Sequence, residues 1–389
     1  MPTSINQLVA ETPYSKLRVV FNKVEGRNDL AKFVLGEPNF DTAPHIIEAA
    51  YKAMREGHTH YVHNAGIMEL REAISEKYKR ENGVDYDPKT EVMIGSGGTD
   101  TIWLAMQTVL EEGDEVIVPG PYWTPYPLLT KLCHAVPVVV PMLEEDGFMY
   151  NIENLRKAVS PKTKMLILNS PCNPTGGMAS EQLLKDIADL AKENDFYVLS
   201  DEVYEKLVFD DNKHISIASL PGMKERTITT NSFSKSYAMT GWRVGYVASV
   251  NKIIANCIKL HELQASCTNV PAQWGAVAAL QGDQSVIQYM VGEYARRRKM
   301  IVEGLNSIRG ISCVMPKGTF YAFANIKRAN MSTDVFCDRL IDEAGLVVIP
   351  GNAFGEYGEG FIRMSFAVSD ETIVEGLNRL DMSMNKLNI

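Results

Sequence analysis

The chain has 389 residues, 45% of them hydrophobic and 22% charged, with a formal net charge of −9. That length allows two or three domains and a sizeable core, while the acidic balance without a basic stripe excludes a nucleic-acid binder. No segment approaches the length of a membrane span, and MPTSINQLVAETPYS at the N-terminus lacks a basic stretch followed by an apolar run, so a cytoplasmic protein with no membrane partner is expected. The six cysteines, Cys133, Cys172, Cys257, Cys267, Cys313 and Cys337, show neither CxxC pairing nor zinc spacing and are expected to be reduced, buried thiols.

In chain order, the first 45 residues hold too little apolar sequence for a domain of their own and are expected to pack on the C-terminal part. HTHYVH places His58, His60 and His63 close together, but no helix or strand period aims all three at one point, so no metal site is expected. EVMIG (91–95) reads as a strand, followed by a glycine-rich turn and the helix TIWLAMQTVL (101–110), which stops at Gly113. EVIVP (115–119), KMLILNS (164–170), FYVLSDE (196–202) and RTITTNS (226–232) read as further strands, with the helix SEQLLKDIADLAKEND (180–195) between the middle two. This alternation predicts an α/β fold with a mostly parallel sheet covered by helices on both faces. Past residue 290 come a charged helix, EYARRRKMIVEGLNSI, and the strands GTFYAFANI (318–326), GLVVIP (345–350) and EGFIRMSFAV (359–368). Residues 46–289 are therefore expected to form a large α/β domain, and residues 1–45 with 290–389 a smaller α+β domain. The run Arg296, Arg297, Arg298, Lys299 reads as a solvated helix face.

Ligands of open α/β sheets bind beyond the carboxyl ends of the strands, which directs attention to four places. These are Ser96-Gly97-Gly98-Thr99, Asn173 in SPCNPTGG, Asp201 in LSDEVY, and the group Ser232, Ser234, Lys235. The turn GSGGTD could aim backbone N–H groups and the Thr99 hydroxyl at an anion, or it could be only a tight turn; Asp100 stands where a dinucleotide fingerprint needs glycine. Asp201 could lie in a surface turn, or under a ligand and ionised beside a cation. Arg243, in the strand-like run WRVGYVA, would be a buried guanidinium in need of a carboxylate or a phosphate. Trp123 in PGPYWTP could be core, or could stack on a flat ligand.

Taken together, these elements resemble one family. SFSKSYAMTGWRVGY (232–246) resembles the lysine signature of the class I pyridoxal-phosphate (PLP) aminotransferases, which have the aspartate-aminotransferase fold, PLP fold type I. LGEPNFDT (35–42), HYVHNAGIMELREAI (60–74), SGGTD (96–100), PYW (121–123), SPCNPTGG (170–177), SDEVY (200–204) and RMSFA (363–367) follow the family order over nearly the whole chain. The resemblance implies that Lys235 bonds to the PLP aldehyde, that Asp201 pairs with the pyridinium nitrogen, and that Asn173 and Tyr204 bond the ring 3-oxygen. It further implies that Trp123 stacks on the ring, that Gly98, Thr99, Ser232, Ser234 and Arg243 hold the phosphate, and that Tyr61 reaches the phosphate of a neighbouring subunit in a homodimer. Arg363 would fork onto the substrate α-carboxylate, with Asn173 assisting and Gly36 close by, and Lys16 or Arg18 could meet a distal carboxylate. The implied reaction is ping-pong transfer of an amino group from an L-amino acid of aspartate, aromatic or alanine type to a 2-oxo acid such as 2-oxoglutarate. A carbon–sulfur β-lyase and a non-catalytic PLP-binding regulator are the alternatives on the same scaffold. Free lysine titrates near ~10.4, so Lys235 has to be depressed or tied up as an imine to work near neutral pH, and a neighbouring cation such as Arg243 and partial burial push it that way.

Overall fold

The computed structural model describes residues 5–387; residues 1–4 and 388–389, the ends of the segments expected to form the smaller domain, lie outside the described residues. In chain order the strands are β1 Ala31–Lys32, β2 Val92–Gly95, β3 Glu115–Gly120, β4 Val136–Pro141, β5 Thr163–Asn169, β6 Tyr197–Asp201 and β7 Thr227–Ser232. They continue with β8 Gly245–Ala248, β9 Ser312–Cys313, β10 Tyr321–Asn325, β11 Leu346–Val347, β12 Ile349–Pro350 and β13 Phe361–Ser365.

Seven of these form one sheet in the order β2-β8-β7-β6-β5-β3-β4. Neighbours from β7 to β4 run parallel, while β8 is antiparallel to both β7 and β2. Both faces are covered, which is why β2, β3 and β5 read as largely apolar runs, while β7, TITTNS, is buried but mostly polar. Consecutive residues point to opposite faces of a strand. Val116 and Val118 accordingly join Ile102 and Leu104 of helix Gly98–Val109 and Ile254 of helix Asn251–Ala265, while Ile117 between them joins Leu184 and Ile187 of helix Glu181–Asn194. Helix Gly98–Val109 begins three residues earlier than its apolar pattern suggests, so the glycine-rich turn is itself the first turn of the helix.

A second sheet has the order β12-β13-β10-β9 and is antiparallel throughout. The stretch 345–350, which reads as one strand, is divided: β11 pairs with β1 and β12 with β13. The pairing of β1 with β11 draws the N-terminal segment onto the C-terminal part. Phe33, directly after β1, donates its N–H to Val347 O at 2.8 Å and accepts from Ser365 N at 2.9 Å, and its fully buried ring packs where a Cβ on Gly376 would stand.

The expected solvated face of the long helix needs correction. The helix spans Ser285–Ser307, and its 3.6-residue period puts Arg297 and Arg298 on the same buried side as Tyr294, Ile301 and Leu305. Arg298 bonds Asp210 at 2.8 Å and Pro316 O at 3.0 Å and lies over the Phe209 ring, and Arg297 bonds Asp370 and Asn39. Of the run Arg296 to Lys299, only Arg296 and Lys299 face solvent. Among the described residues no helix is long and apolar enough to cross a membrane.

Phe33→Ala removes a buried ring at the joint between the N-terminal segment and the C-terminal part. Its expected cost is about 3–5 kcal/mol, read as a lowered urea midpoint; an unchanged midpoint would mean the segment docks without this ring.

Candidate active site

The carboxyl ends of β2, β5, β6 and β7 open onto one cavity of about 190 Å³. At one end helix Gly98–Val109 presents its N-terminus with no side-chain cap, leaving a partial positive charge on its first N–H groups. Gly97 in front of it has φ +94°, and a Cβ there would come within 2.5 Å of Arg243 Nη2, so glycine is required by both conformation and contact. Ser232, at the end of β7, caps the short helix Phe233–Ser236 by accepting from Ser234 N–H at 3.1 Å, and the Ser232 and Ser234 hydroxyls lie 2.8 Å apart. Gly98, Thr99, Ser232, Ser234 and Arg243 thus line one end of the cavity. Arg243 departs from its expected setting: it precedes β8, has φ +54°, is exposed, and donates to Thr240 O at 2.9 Å. A strand position would have buried it, whereas the left-handed turn swings the guanidinium out over Gly97.

Lys235 projects from the short helix, and its ammonium donates to the Gly36 carbonyl. Burial pushes its pKa down to about 8, opposed by the Glu37 carboxylate and assisted by Arg363 and then Arg243. Burial is therefore the chief cause, and Arg243 a lesser one than its place in the signature suggests.

Asp201, the last residue of β6, is buried. Its Oδ2 accepts from the Tyr126 hydroxyl at 2.6 Å and its Oδ1 from Val203 N–H at 3.2 Å. Burial raises its pKa to about 6 although both hydrogen bonds favour the ionised form. Such a carboxylate gains most from a cation brought into the cavity. Trp123 lines the same wall, edge-on to Tyr126.

The opposite end is formed by Arg363 of β13, 1% exposed. Nη1 donates to Asn173 Oδ1 at 3.0 Å and Nη2 to Val34 O at 3.2 Å, Nε has no partner, and among the described residues no carboxylate pairs with the group. The guanidinium is sandwiched by the rings of Tyr321 at 4.2 Å and Phe354 at 4.9 Å. Burial lowers its pKa, yet arginine stays charged, so the site retains a cation without a counter-ion. The Tyr321 hydroxyl in turn lies 3.0 Å from that of Tyr204.

The cavity therefore gathers Gly36, Asn173, Tyr204 and Arg363 with the residues already named, but not Lys16 or Tyr61. Lys16 is bonded to Asp334 at 3.1 Å and to Asn352 at 3.0 Å; its neighbour Leu17 reaches the cavity instead. Tyr61 is 85% exposed. Tyr126, Asn169 and Tyr321 were not singled out by sequence, although PYWTPYP and GTFYAF carry the two aromatics. The donor set fits PLP: a cationic cup for the phosphate, a buried carboxylate for a ring cation, a partly deprotonated amine for the aldehyde, and an indole for the ring face.

The sequence pattern of the family described as aminotransferase class I and II matches residues 28–380. The chain is 43% identical to the aspartate aminotransferase of Pyrococcus abyssi and 42% identical to the aromatic-amino-acid aminotransferase 2 of Thermococcus litoralis, each over 94% of this chain and 95% of the relative. Among solved structures, the aspartate aminotransferase from Thermus thermophilus with maleate superposes with a TM-score of 0.94 at 36% identity, over 98% of this chain and 99% of that one.

The depressed Lys235 makes a kinetic expectation. Only the neutral amine attacks an aldehyde, so covalent capture of pyridoxal by the cofactor-free protein, trapped with borohydride, should quicken with pH and level off above about 8. A rise continuing to ~10.4 would show an ordinary lysine.

Proposed function

This chain belongs to the class I and II aminotransferases, and we propose that it moves the amino group of an aspartate- or aromatic-type L-amino acid to a 2-oxo acid such as 2-oxoglutarate, in ping-pong fashion. It is a PLP-dependent transaminase. The observation that carries the substrate side is Arg363, a buried guanidinium that no carboxylate pairs among the described residues, beside Asn173 in the cavity that Gly98, Thr99, Ser232, Ser234 and Arg243 also line. Such a cation calls for a planar anion, and its fork matches an α-carboxylate in a way that lysine cannot.

Bound PLP supplies the aldehyde that takes the amino group and a ring that stabilises negative charge at the substrate α-carbon. Around it the chain's own residues divide the work. Gly98, Thr99, Ser232, Ser234 and Arg243 would hold the phosphate, and Asp201, its ionised form favoured by Tyr126 and the Val203 N–H, would hold a proton on the ring nitrogen. Asn173 and Tyr204 would orient the ring through its 3-oxygen, and Trp123 would cover one face. Lys235 would act as the general base that takes the proton from the substrate α-carbon and as the general acid that gives it back. Gly36 leaves room at the carboxylate end, where a Cβ would approach the Tyr321 hydroxyl at 3.1 Å.

Tyr61, outside its own cavity and exposed, supports the reading that it reaches the phosphate of a second copy, as a homodimer with shared sites requires. A cytoplasmic location and a smaller domain built from residues 1–45 and 290–389 complete the proposal. The engagement of Lys16 by Asp334 and Asn352 speaks against its meeting a distal carboxylate, and the apolar Leu17 supports acceptance of an aromatic side chain there.

Two measurements test this reading. A donor panel with 2-oxoglutarate should show glutamate formation from aspartate, phenylalanine or tyrosine and conversion of the bound cofactor to its amine form; release of pyruvate from cysteine-type donors without that conversion would identify a β-lyase. Arg363→Lys should raise KM for every amino acid by about a hundredfold through loss of the bidentate fork, whereas an effect confined to dicarboxylates would reassign the residue to side-chain recognition.

A further inference from the structure

On the far side of β7 from the phosphate cup, a chain of buried polar groups runs from helix Met68–Lys77 to Ser232. The Lys77 ammonium and Glu205 carboxylate form an ion pair with side chains only 2% and 7% exposed, and Lys77 also reaches Asn82 Oδ1 at 2.9 Å. Glu205 Oε1 accepts from Asn231 Nδ2 at 2.8 Å, and Asn231 Oδ1 accepts from Ser232 N–H at 2.7 Å. Asn231 and Ser232 are consecutive in the strand, so their side chains face opposite sides of the sheet, Asn231 toward Glu205 and Ser232 toward the cavity.

A carboxylate only accepts hydrogen bonds, so Glu205 forces the amide nitrogen of Asn231 toward itself and thereby the amide oxygen toward Ser232. Flipping the amide would set one NH₂ against the Ser232 N–H and a carbonyl against the carboxylate, losing both bonds at once. The ion pair keeps that choice permanent: burial favours a neutral Glu205, but the Lys77 charge and hydrogen bond, with Lys206 assisting, outweigh it and hold the pKa down to about 2. Stability alone does not explain such a pair, because apolar side chains of similar volume commonly serve a buried position as well or better. The cluster does not read as a metal centre either. Glu202, Glu205 and His214 have ligand atoms within 4.8 Å of one another, yet both Glu205 oxygens are already taken by Lys77.

We propose that Asn231, oriented by the buried Lys77–Glu205 pair, is a positioning residue that fixes Ser232 and so sets how tightly the cavity holds a phosphate group. The inference rests on the transaminase reading, in which that phosphate belongs to PLP. Through the Ser232 hydroxyl, which also accepts from Ser234 N–H, the constraint reaches two of the groups that line the cup.

The test compares two ligands of the cofactor-free protein by fluorescence titration: PLP, and pyridoxal, which has no phosphate. Asn231→Ala should raise Kd for PLP about tenfold and leave Kd for pyridoxal within about twofold, since only phosphate contacts depend on the residue. Equal losses for both ligands would reveal a general structural role, and unchanged PLP affinity would show no role; either overturns the proposal. If Asn231→Ala does not fold, Lys77→Met with Glu205→Met replaces the pair by apolar side chains and frees the amide to flip. The same selective loss is expected, and its absence overturns the proposal. Wild-type protein that fails to prefer PLP over pyridoxal would bring down the cofactor reading as well, so the two failures are told apart by the parent alone.

Discussion

The buried guanidinium of Arg363 is the constraint to which the rest of the site answers. A charge this enclosed has to be hydrogen-bonded and paired, or it destabilises the fold. The protein meets half of that demand itself, through Asn173 from the turn after β5, the Val34 carbonyl from the N-terminal segment, and the faces of Tyr321 and Phe354. The missing half is an anion, which in the proposed function the substrate would bring. Since these supports come from both sheets and from the N-terminal segment, the position of the carboxylate depends on how those parts are docked.

The remaining electrostatics follow from enclosing several cations in one cavity. Arg363 and Arg243 both lower the pKa of Lys235, but the larger effect is burial, so the amine is made reactive by its surroundings more than by its charged neighbours. Asp201 experiences the opposite consequence of the same enclosure: burial raises its pKa, and Tyr126 with the Val203 N–H partly restores the ionised form. One cavity thus holds an amine biased toward neutrality and a carboxylate that gains from a cation, which is the asymmetry PLP chemistry requires.

Glycine sets how closely these groups approach. At Gly97 the left-handed backbone and the Arg243 guanidinium leave no space for a Cβ, and at Gly245 a Cβ would stand 2.7 Å from the Gly98 nitrogen. Any side chain at either point would push β8 and the Arg243 guanidinium just before it away from the helix N-terminus.

Much of the site was legible in the sequence because its chemistry is concentrated in short segments at strand ends. The glycine-rich turn, Asn173 and Asp201 each follow an apolar run, the lysine with its two serines follows the mostly polar β7, and the order of strands then brings them together. What sequence periodicity could not settle was direction at a distance. Arg298 looked solvated because three arginines and a lysine stand in a row, yet the helix phase and an Asp210 far away in sequence bury it. Arg243 looked like a strand residue, but the left-handed turn before β8 exposes it. Tyr126 meets Asp201, 75 residues on, and Lys16 is engaged by Asp334 and Asn352, more than 300 residues on. By itself the sequence determined the α/β plan, the family and most of the residues that line the cavity at the strand ends, since local patterning and short motifs encode them. Tertiary structure alone decided which charges are buried, which are paired across long separations and which are left for a ligand, because burial and counter-ions are properties of the packed chain.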